Sequence, residues 1–171
     1  GRIVCIGLSI SGNSGGRAGA PGFISGEAAS AATPQELCWA GPDEAELLRN
    51  FWSAVQPDDL LIGHNLLGFD LPFISARSVI ARVKPSRRID LRRYRTDSTY
   101  DTMQVWCGWD AGKYPKLDTL AAIMGFEGKS GSGAQVAGWA AAGEWEQIKQ
   151  YCMDDVRLTR AVYQRMREFG M

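Results

Sequence analysis

The stretch DLLIGHNLLGFDLPFI, residues 59–74, passes from an apolar run into a helical pattern. Residues 59–63 predict a buried strand, and residues 71–83 predict a helix with Pro72 in its first turn. Asn65 and Asp70 therefore lie where the strand ends and the helix begins. Open α/β sheets place their sites at the carboxyl ends of strands, so these two polar residues predict a site at the rim of the sheet.

Two interpretations of Asp70 are open at this point. In the first, the Asp70 carboxylate holds a divalent cation, while the Asn65 side chain fixes the turn by hydrogen bonds to the backbone. In the second, Asp70 only caps the helix that Pro72 begins. The stretch alone does not decide between them.

Working outward from this stretch, strand and helix patterns alternate. Strands are predicted over residues 2–10, 22–26 and 37–40, and a helix capped by Asp43 runs towards Pro57. Further helices are predicted over residues 102–106, 116–125 and 143–169, whereas residues 84–100 read as basic and irregular. The pattern predicts one α/β layered domain over residues 1–171.

Composition excludes several classes of protein. The chain is 45% hydrophobic and 22% charged, which is typical of a globular domain, and its formal net charge is zero. No apolar run is long enough to span a membrane, so no membrane partner is expected. The cysteines at positions 5, 38, 107 and 152 are scattered without a C-x-x-C pair. They predict free thiols in a reducing cytoplasm and argue against a structural zinc site.

A second informative stretch is YCMDDVRLTRAVYQRM, residues 151–166. Tyr151 and Asp155 are four residues apart and share one face of the predicted helix, whereas Asp154 points about 100° away. A carboxylate on a buried face needs a partner, and a metal ion would supply one. The alternative is that Asp154 and Asp155 form a solvated pair bonded to arginines such as Arg157 or Arg160.

Together, the two stretches resemble the second and third motifs of the DEDD 3′–5′ exonucleases. Asn-x3-Phe-Asp at residues 65–70 matches the second motif, and Tyr-x3-Asp at residues 151–155 matches the third motif in its tyrosine form, DEDDy. GRIVCIGLSI (residues 1–10), KLDTLAAIMGFEGKSGSGAQV (116–136) and IKQYCMDDVRLT (148–159) also resemble family segments. The closest resemblance is to predicted exonucleases related to the proofreading domain of family B DNA polymerases.

This resemblance implies an RNase H-like α/β fold with a mixed central sheet flanked by helices. It implies hydrolysis at single-stranded 3′ ends of nucleic acid with two divalent cations, Mg²⁺ or Mn²⁺. Asp70 and Asp155 would be metal ligands, Tyr151 would orient the attacking water, and Asn65 would shape the second motif. A polymerase or another replication or repair protein is a candidate partner. The only histidine, His64, is interpreted as structural because the sister branch needs a histidine near the last aspartate.

One departure from the family pattern concerns both fold and chemistry. The first motif, Asp-x-Glu on the strand before GRIVCIG, is absent, because no aspartate here is followed two residues later by glutamate. The chain also opens without methionine, which favours a truncated N-terminus or an additional segment. A degenerate domain, or a strand supplied by another chain, are the alternatives. The rival function is therefore an inactive RNase H-like module that binds nucleic acid or a protein partner.

Nucleic acid would need a basic surface, and residues 77–95 are rich in arginine. Arg87, Arg88 and Arg92 are predicted phosphate contacts, and the other candidates are Lys116 and Lys129. Tyr94 and Tyr100 are predicted to stack on bases. The alternative is a solvated basic surface without a ligand.

Overall fold

The computed structural model describes residues 1–11, 34–127 and 133–171. In chain order the regular elements are β1 (Cys5–Ile10), β2 (Gln35–Ala40), α1 (Glu44–Ala54), β3 (Leu61–Gly63), α2 (Leu71–Ile80), β4 (Thr99–Asp101), α3 (Thr102–Trp106), α4 (Leu117–Ile123), α5 (Val136–Ala142) and α6 (Trp145–Glu168). A π-helical turn, Leu66–Asp70, precedes α2. The described chain is therefore mixed α/β, as predicted. The predicted strand over residues 22–26 lies outside the described residues.

Local signals explain several element boundaries. Asp43 caps α1, because its carboxylate accepts a hydrogen bond from the backbone N–H of Glu46 at 3.1 Å. α2 ends at Ile80, earlier than predicted, because the chain turns sharply at Arg82, which has φ 55°. β4 falls at the end of a segment that looked irregular in sequence, because three buried residues are too short a run to show a strand pattern.

The strands form two small sheets. β1 and β2 are antiparallel, with Cys5 opposite Ala40 and Gly7 opposite Cys38. β3 and β4 are parallel, with Gly63 opposite Asp101. Within residues 1–11, 34–127 and 133–171, no hydrogen-bonded ladder joins the two pairs, so the single mixed sheet expected from the sequence is present as two separate pairs. The RNase H-like fold itself stays a prediction.

α6 holds the two sheets together. It packs against β1, β2 and β3, and against α3, α4 and α5. Its apolar residues Leu158, Val162 and Met166 join Tyr100 of β4 and Leu120 of α4 in one core. A second core lies between α1 and β1 and is formed by Ile3, Ile6, Leu47, Leu48, Phe51, Trp52 and Val55. Among the described helices, none has the length and apolar content that crossing a bilayer requires.

Candidate active site

The turn that carries Asp70 begins where β3 ends. Asn65 adopts the left-handed conformation with φ 62°, which asparagine tolerates better than most residues. The N–H of Phe69 then donates to the carbonyl of Asn65 at 2.9 Å, and the chain continues as a π-helical turn into α2. A Cβ at Gly68 would lie 2.4 Å from Oδ1 of Asn65, so a larger residue there would require the Asn65 side chain to move. Asn65 thus shapes the turn through its backbone, and its side chain makes no capping hydrogen bond, contrary to the predicted route.

Asp101 fixes this turn from the neighbouring strand. It is fully buried, and its carboxylate accepts hydrogen bonds at 2.9 Å from the N–H groups of both Asn65 and Leu67. The same carboxylate caps α3 by accepting from the N–H groups of Met103 and Gln104. This role of Asp101 was not predicted from the sequence. Its only signal was an aspartate directly before a predicted helix, which is the signature of an N-cap.

Asp70 is half-buried and does not act as a helix cap. Its side chain makes no capping hydrogen bond, because the π-helical turn already continues into α2 through it. The pKa of Asp70 is raised to about 6, mainly by burial and also by the negative charges of Asp101 and Asp155, while a hydrogen bond from its own backbone lowers it. Asp70, Asp101 and Asp155, here named the carboxylate cluster, are thus close enough for their charges to interact.

The aspartates of α6 separate as their helical positions predict. Asp154 accepts hydrogen bonds from Gln150 at 2.8 Å and from Arg157 at 3.3 Å. Arg157 also binds Glu36 of β2, and the other arginine of the rival interpretation, Arg160, donates to Ser9. Asp155, by contrast, raises the pKa of Asp70 across the site. Asp154 therefore fits the interpretation of a surface aspartate bonded to arginine, whereas Asp155 lies close enough to Asp70 for their charges to interact.

Tyr151 lies one helical turn before Asp155 and faces α5. Its ring is 6.1 Å from the ring of Trp139, and a Cβ at Gly133 would lie 3.6 Å from its hydroxyl oxygen. The phenol thus stands beside the segment that leads into α5. Its role in orienting water stays a prediction.

His64 has the structural placement that the sequence favoured. Its Nε2 donates to the carbonyl of Pro115 at 2.9 Å, and its Nδ1 lies 3.0 Å from the hydroxyl of Thr102. The imidazole thus joins the end of β3 to α3 and to the segment before α4.

Much of the arginine-rich segment is already paired. Arg77 forms a two-pronged ion pair with Glu44, and Arg92 and Arg95 pair with Asp90 and Asp97. Arg87 is half-buried and donates to the carbonyls of Gln56 and Asp59. The local positive charge is therefore smaller than the sequence count suggests.

The other nucleic-acid candidates differ in their exposure. Arg88 and Lys116 are exposed, and Lys129 lies outside the described residues. Tyr94 is 71% exposed beside Trp109, but Tyr100 is 1% exposed and packs on Tyr163, so the predicted stacking role of Tyr100 is wrong. Tyr100 is buried because β4 lies between α6 and the turn at Asp70. Phosphate contacts by Arg87, Arg88, Arg92 and Lys116 stay predictions.

The cysteines are less scattered than the sequence suggested. Cys5, Cys38 and Cys152, here named the thiol cluster, have Sγ atoms that all lie within 4.8 Å of one another. Within the described residues this is the only group of three side chains close enough to hold one metal ion. The four cysteines are free, as predicted, but their spacing in the sequence did not show this proximity, because strand pairing joins residues that are far apart in the chain.

Both predicted motifs lie within the range of the chain that matches a known protein family. A family model described as a predicted 3′–5′ exonuclease related to the exonuclease domain of PolB matches residues 33–170, which include Asp70, Asp101, Tyr151 and Asp155. No curated protein matches the chain. The matched range covers most of the chain and contains both predicted motifs. The chain therefore belongs to the family of predicted 3′–5′ exonucleases related to the exonuclease domain of PolB.

Proposed function

We propose that this chain is a metal-dependent 3′–5′ exonuclease domain that removes nucleotides from single-stranded 3′ ends. The observation that carries the proposal is the placement of Asp70 near Asp101 and Asp155, where burial and the two negative charges raise its pKa. A buried carboxylate beside other carboxylates is costly unless a cation offsets the repulsion. Membership of the exonuclease family gives that cation a chemical purpose.

The donor set fits a hard divalent cation. Asp70 and Asp155 offer carboxylate oxygens, which Mg²⁺ and Mn²⁺ prefer over nitrogen or sulfur ligands. Asp101 is the better candidate for a supporting role, since both of its oxygens already accept backbone hydrogen bonds. When bound, two such cations would activate a water and stabilise the leaving 3′ oxygen.

The protein's own residues then supply position. Asp70 is carried by a turn that Asp101 fixes, and Asp155 is carried by the helix that packs on both sheets. The Tyr151 hydroxyl, one turn from Asp155, would hold the attacking water by a hydrogen bond. Exposed cations at Arg88 and Lys116, together with Arg87 and Arg92, would contact the phosphates of the strand.

The first acidic motif of the family would have to join the site on an added strand. Among the described strands, β1 and β3 each have one hydrogen-bonded neighbour, so each has an open edge. α6 packs against both of these strands. An Asp-x-Glu strand that paired with these edges would lie beside α6, where Asp155 is carried.

A second candidate function follows from the absence of an Asp-x-Glu pair in the sequence. In that case the domain would be a catalytically inactive module that binds nucleic acid or a protein partner. Two carboxylate ligands, Asp70 and Asp155, would then be too few for a two-cation centre.

The test uses the full-length gene product and a 5′-labelled single-stranded oligonucleotide, as DNA and as RNA, with Mg²⁺ or Mn²⁺. We expect a ladder of products shortened from the 3′ end, which EDTA abolishes. Asp70→Asn and Asp155→Asn should each lower the rate by at least about 10³-fold, because several kcal/mol of charge stabilisation are lost. Asp154→Asn is the matched control and should keep the rate, since Asp154 binds Gln150 and Arg157 instead.

Retained activity in both Asp70→Asn and Asp155→Asn would refute the assignment. If the unmodified protein leaves the oligonucleotide intact but binds it, the inactive module is the correct function. Shortening from the 5′ end would exclude both candidates.

A further inference from the structure

The thiol cluster joins three separate elements of the fold. Cys5 is on β1, Cys38 is on β2 and Cys152 is on α6. The Sγ atoms of Cys5 and Cys38 are 3.5 Å apart, and Cys152 completes a group within 4.8 Å. All three side chains are half-buried, so a small ion could still reach them.

Strand register and one glycine create this cluster. Because Cys5 lies opposite Ala40, Cys5 and Cys38 are diagonal neighbours on the same face of the β1–β2 pair. Gly7 lies opposite Cys38, and a Cβ at Gly7 would be 2.9 Å from Sγ of Cys152. The missing side chain at Gly7 therefore lets α6 bring Cys152 onto the two strand thiols.

We propose that Cys5, Cys38 and Cys152 form a binding site for a thiophilic cation of the Zn²⁺ class. Tetrahedral thiolate ligands at about 2.3 Å from zinc lie about 3.8 Å from one another. The observed sulfur separations, from 3.5 Å to at most 4.8 Å, bracket that value. Water, or the carbonyl oxygen of Lys149 that lies 3.8 Å from Cys38 Sγ, would take the fourth position.

A disulfide explains the arrangement less well. It would join only two of the sulfurs, whereas all three lie within reach of one ion. The four cysteines are free thiols in the structure, and a sulfur separation of 3.5 Å is well beyond the S–S bond length of about 2.05 Å. Diagonal strand positions are also poorly spaced for a disulfide.

The charges of the site suit a cation. The positive charge of Lys149 lies near Cys5 and Cys38 and would stabilise the thiolates that a metal ion needs. Binding of Zn²⁺ would displace the thiol protons of Cys5, Cys38 and Cys152 into solvent. Three thiolates and one Zn²⁺ leave one net negative charge, which the Lys149 ammonium lies near enough to offset.

This site is chemically separate from the proposed nuclease centre and does not depend on it. Thiolates prefer borderline-soft ions such as Zn²⁺, whereas the carboxylate cluster suits Mg²⁺ or Mn²⁺. A bound ion would fasten β1, β2 and α6 at one point, next to Tyr151 in the chain. The expected role is therefore structural.

The test uses the full chain, reduced and metal-free, titrated with Co²⁺ and then with Zn²⁺. We expect one Co²⁺ per chain with a thiolate charge-transfer absorption, which Zn²⁺ abolishes by displacement. Cys38→Ser should weaken Zn²⁺ binding by at least about tenfold, since even the loss of an outer-shell partner costs that much. Cys107→Ser is the matched control, and its affinity for Zn²⁺ should equal that of the unmodified chain.

A second measurement needs no variant and so is independent of folding defects. Zn²⁺ should protect Cys5, Cys38 and Cys152 of the unmodified chain from N-ethylmaleimide, while Cys107 still reacts, as mapped by mass spectrometry. Equal labelling of all four cysteines in Zn²⁺ would overturn the proposal. So would a Cys5–Cys38 disulfide in place of metal uptake, or Co²⁺ binding without the thiolate absorption.

Discussion

The carboxylate cluster and the thiol cluster both lie against α6, but they meet the cost of burial differently. Neutral thiols donate hydrogen bonds to one another, so the thiol cluster can satisfy itself without a ligand. Ionised carboxylates only accept hydrogen bonds and cannot satisfy one another in this way, and burial together with the charges of Asp101 and Asp155 raises the pKa of Asp70. The difference shows that the rest of the fold must hold the carboxylates of the carboxylate cluster close together despite their repulsion. Asp101 contributes most to this, because its hydrogen bonds fix the turn that carries Asp70.

The largest expected change in stability follows from removing the Asp101 side chain. Asp101→Ala should lower the free energy of unfolding by about 3–5 kcal/mol, because buried N–H groups lose their acceptor at roughly 1–3 kcal/mol each. Urea denaturation followed by circular dichroism measures this change. Asp110→Ala is the control, since its carboxylate binds Gly112 and Lys113 at the surface and should cost under about 1 kcal/mol. Similar losses of stability in both variants would show that the hydrogen bonds of Asp101 contribute no more than those of a surface aspartate.

Replacing Asp70 is expected to change the stability by a smaller amount and in the opposite direction, because its ionised carboxylate destabilises the fold at high pH. Its pKa is about 6 in the folded chain, against 3.8 ordinarily. The unfolded chain therefore loses this proton first as pH rises, and the stability that the protonated group gives below about pH 4 is lost as pH passes through about 6. In EDTA the loss should reach at most about 3 kcal/mol. Asp70→Asn should abolish it and be more stable than the unmodified chain at pH 8.

The same urea experiment at pH 5 and pH 8 gives the comparison. Asp154→Asn is the control and should keep the pH dependence of the unmodified chain. An Asp70→Asn variant that is less stable at pH 8 in EDTA would show that the Asp70 carboxylate stabilises the turn, as a simple cap would.

The smallest effect is expected at the thiol cluster. Gly7→Ala should destabilise the fold by about 1–2 kcal/mol, because its Cβ would meet Cys152, Met153 and Val156 of α6 at 2.9–3.2 Å. The displaced helix should also weaken Co²⁺ binding, as read from the thiolate absorption. Gly41→Ala is the control, since its Cβ would meet nothing within 4 Å. Unchanged Co²⁺ affinity in Gly7→Ala would mean that this close approach does not set the cluster's geometry.

Sequence reasoning reached the parts of the molecule that local pattern controls. The cap at Asp43, the strand before His64 and the long helix α6 follow from spacing and turn chemistry. The match of residues 33–170 confirmed the exonuclease family, which order and spacing of the two motifs had indicated. The roles of Asn65, Asp70, Tyr151 and Asp155 stay predictions.

What the sequence could not predict depends on pairing at long range. Asp101 accepts a hydrogen bond from Asn65 across the parallel β3–β4 pair, and the residues next to Asp101 in the sequence do not predict that contact. The thiol cluster likewise needs the β1–β2 register and the approach of α6 at Gly7. Arginine partners such as Glu44 for Arg77 are also distant in the chain, so a local count overestimated the free positive charge.

The π-helical turn Leu66–Asp70 makes the number of residues between β3 and α2 a structural requirement of its own. A π turn holds one more residue than an α turn, so deleting one position between β3 and Asp70 would remove the extra residue and shift Asp70 relative to the end of β3. Exposed Phe69 could change in size or polarity without moving the carboxylate. A change of length in this segment would therefore displace the Asp70 carboxylate, while a substitution at Phe69 would leave it in place.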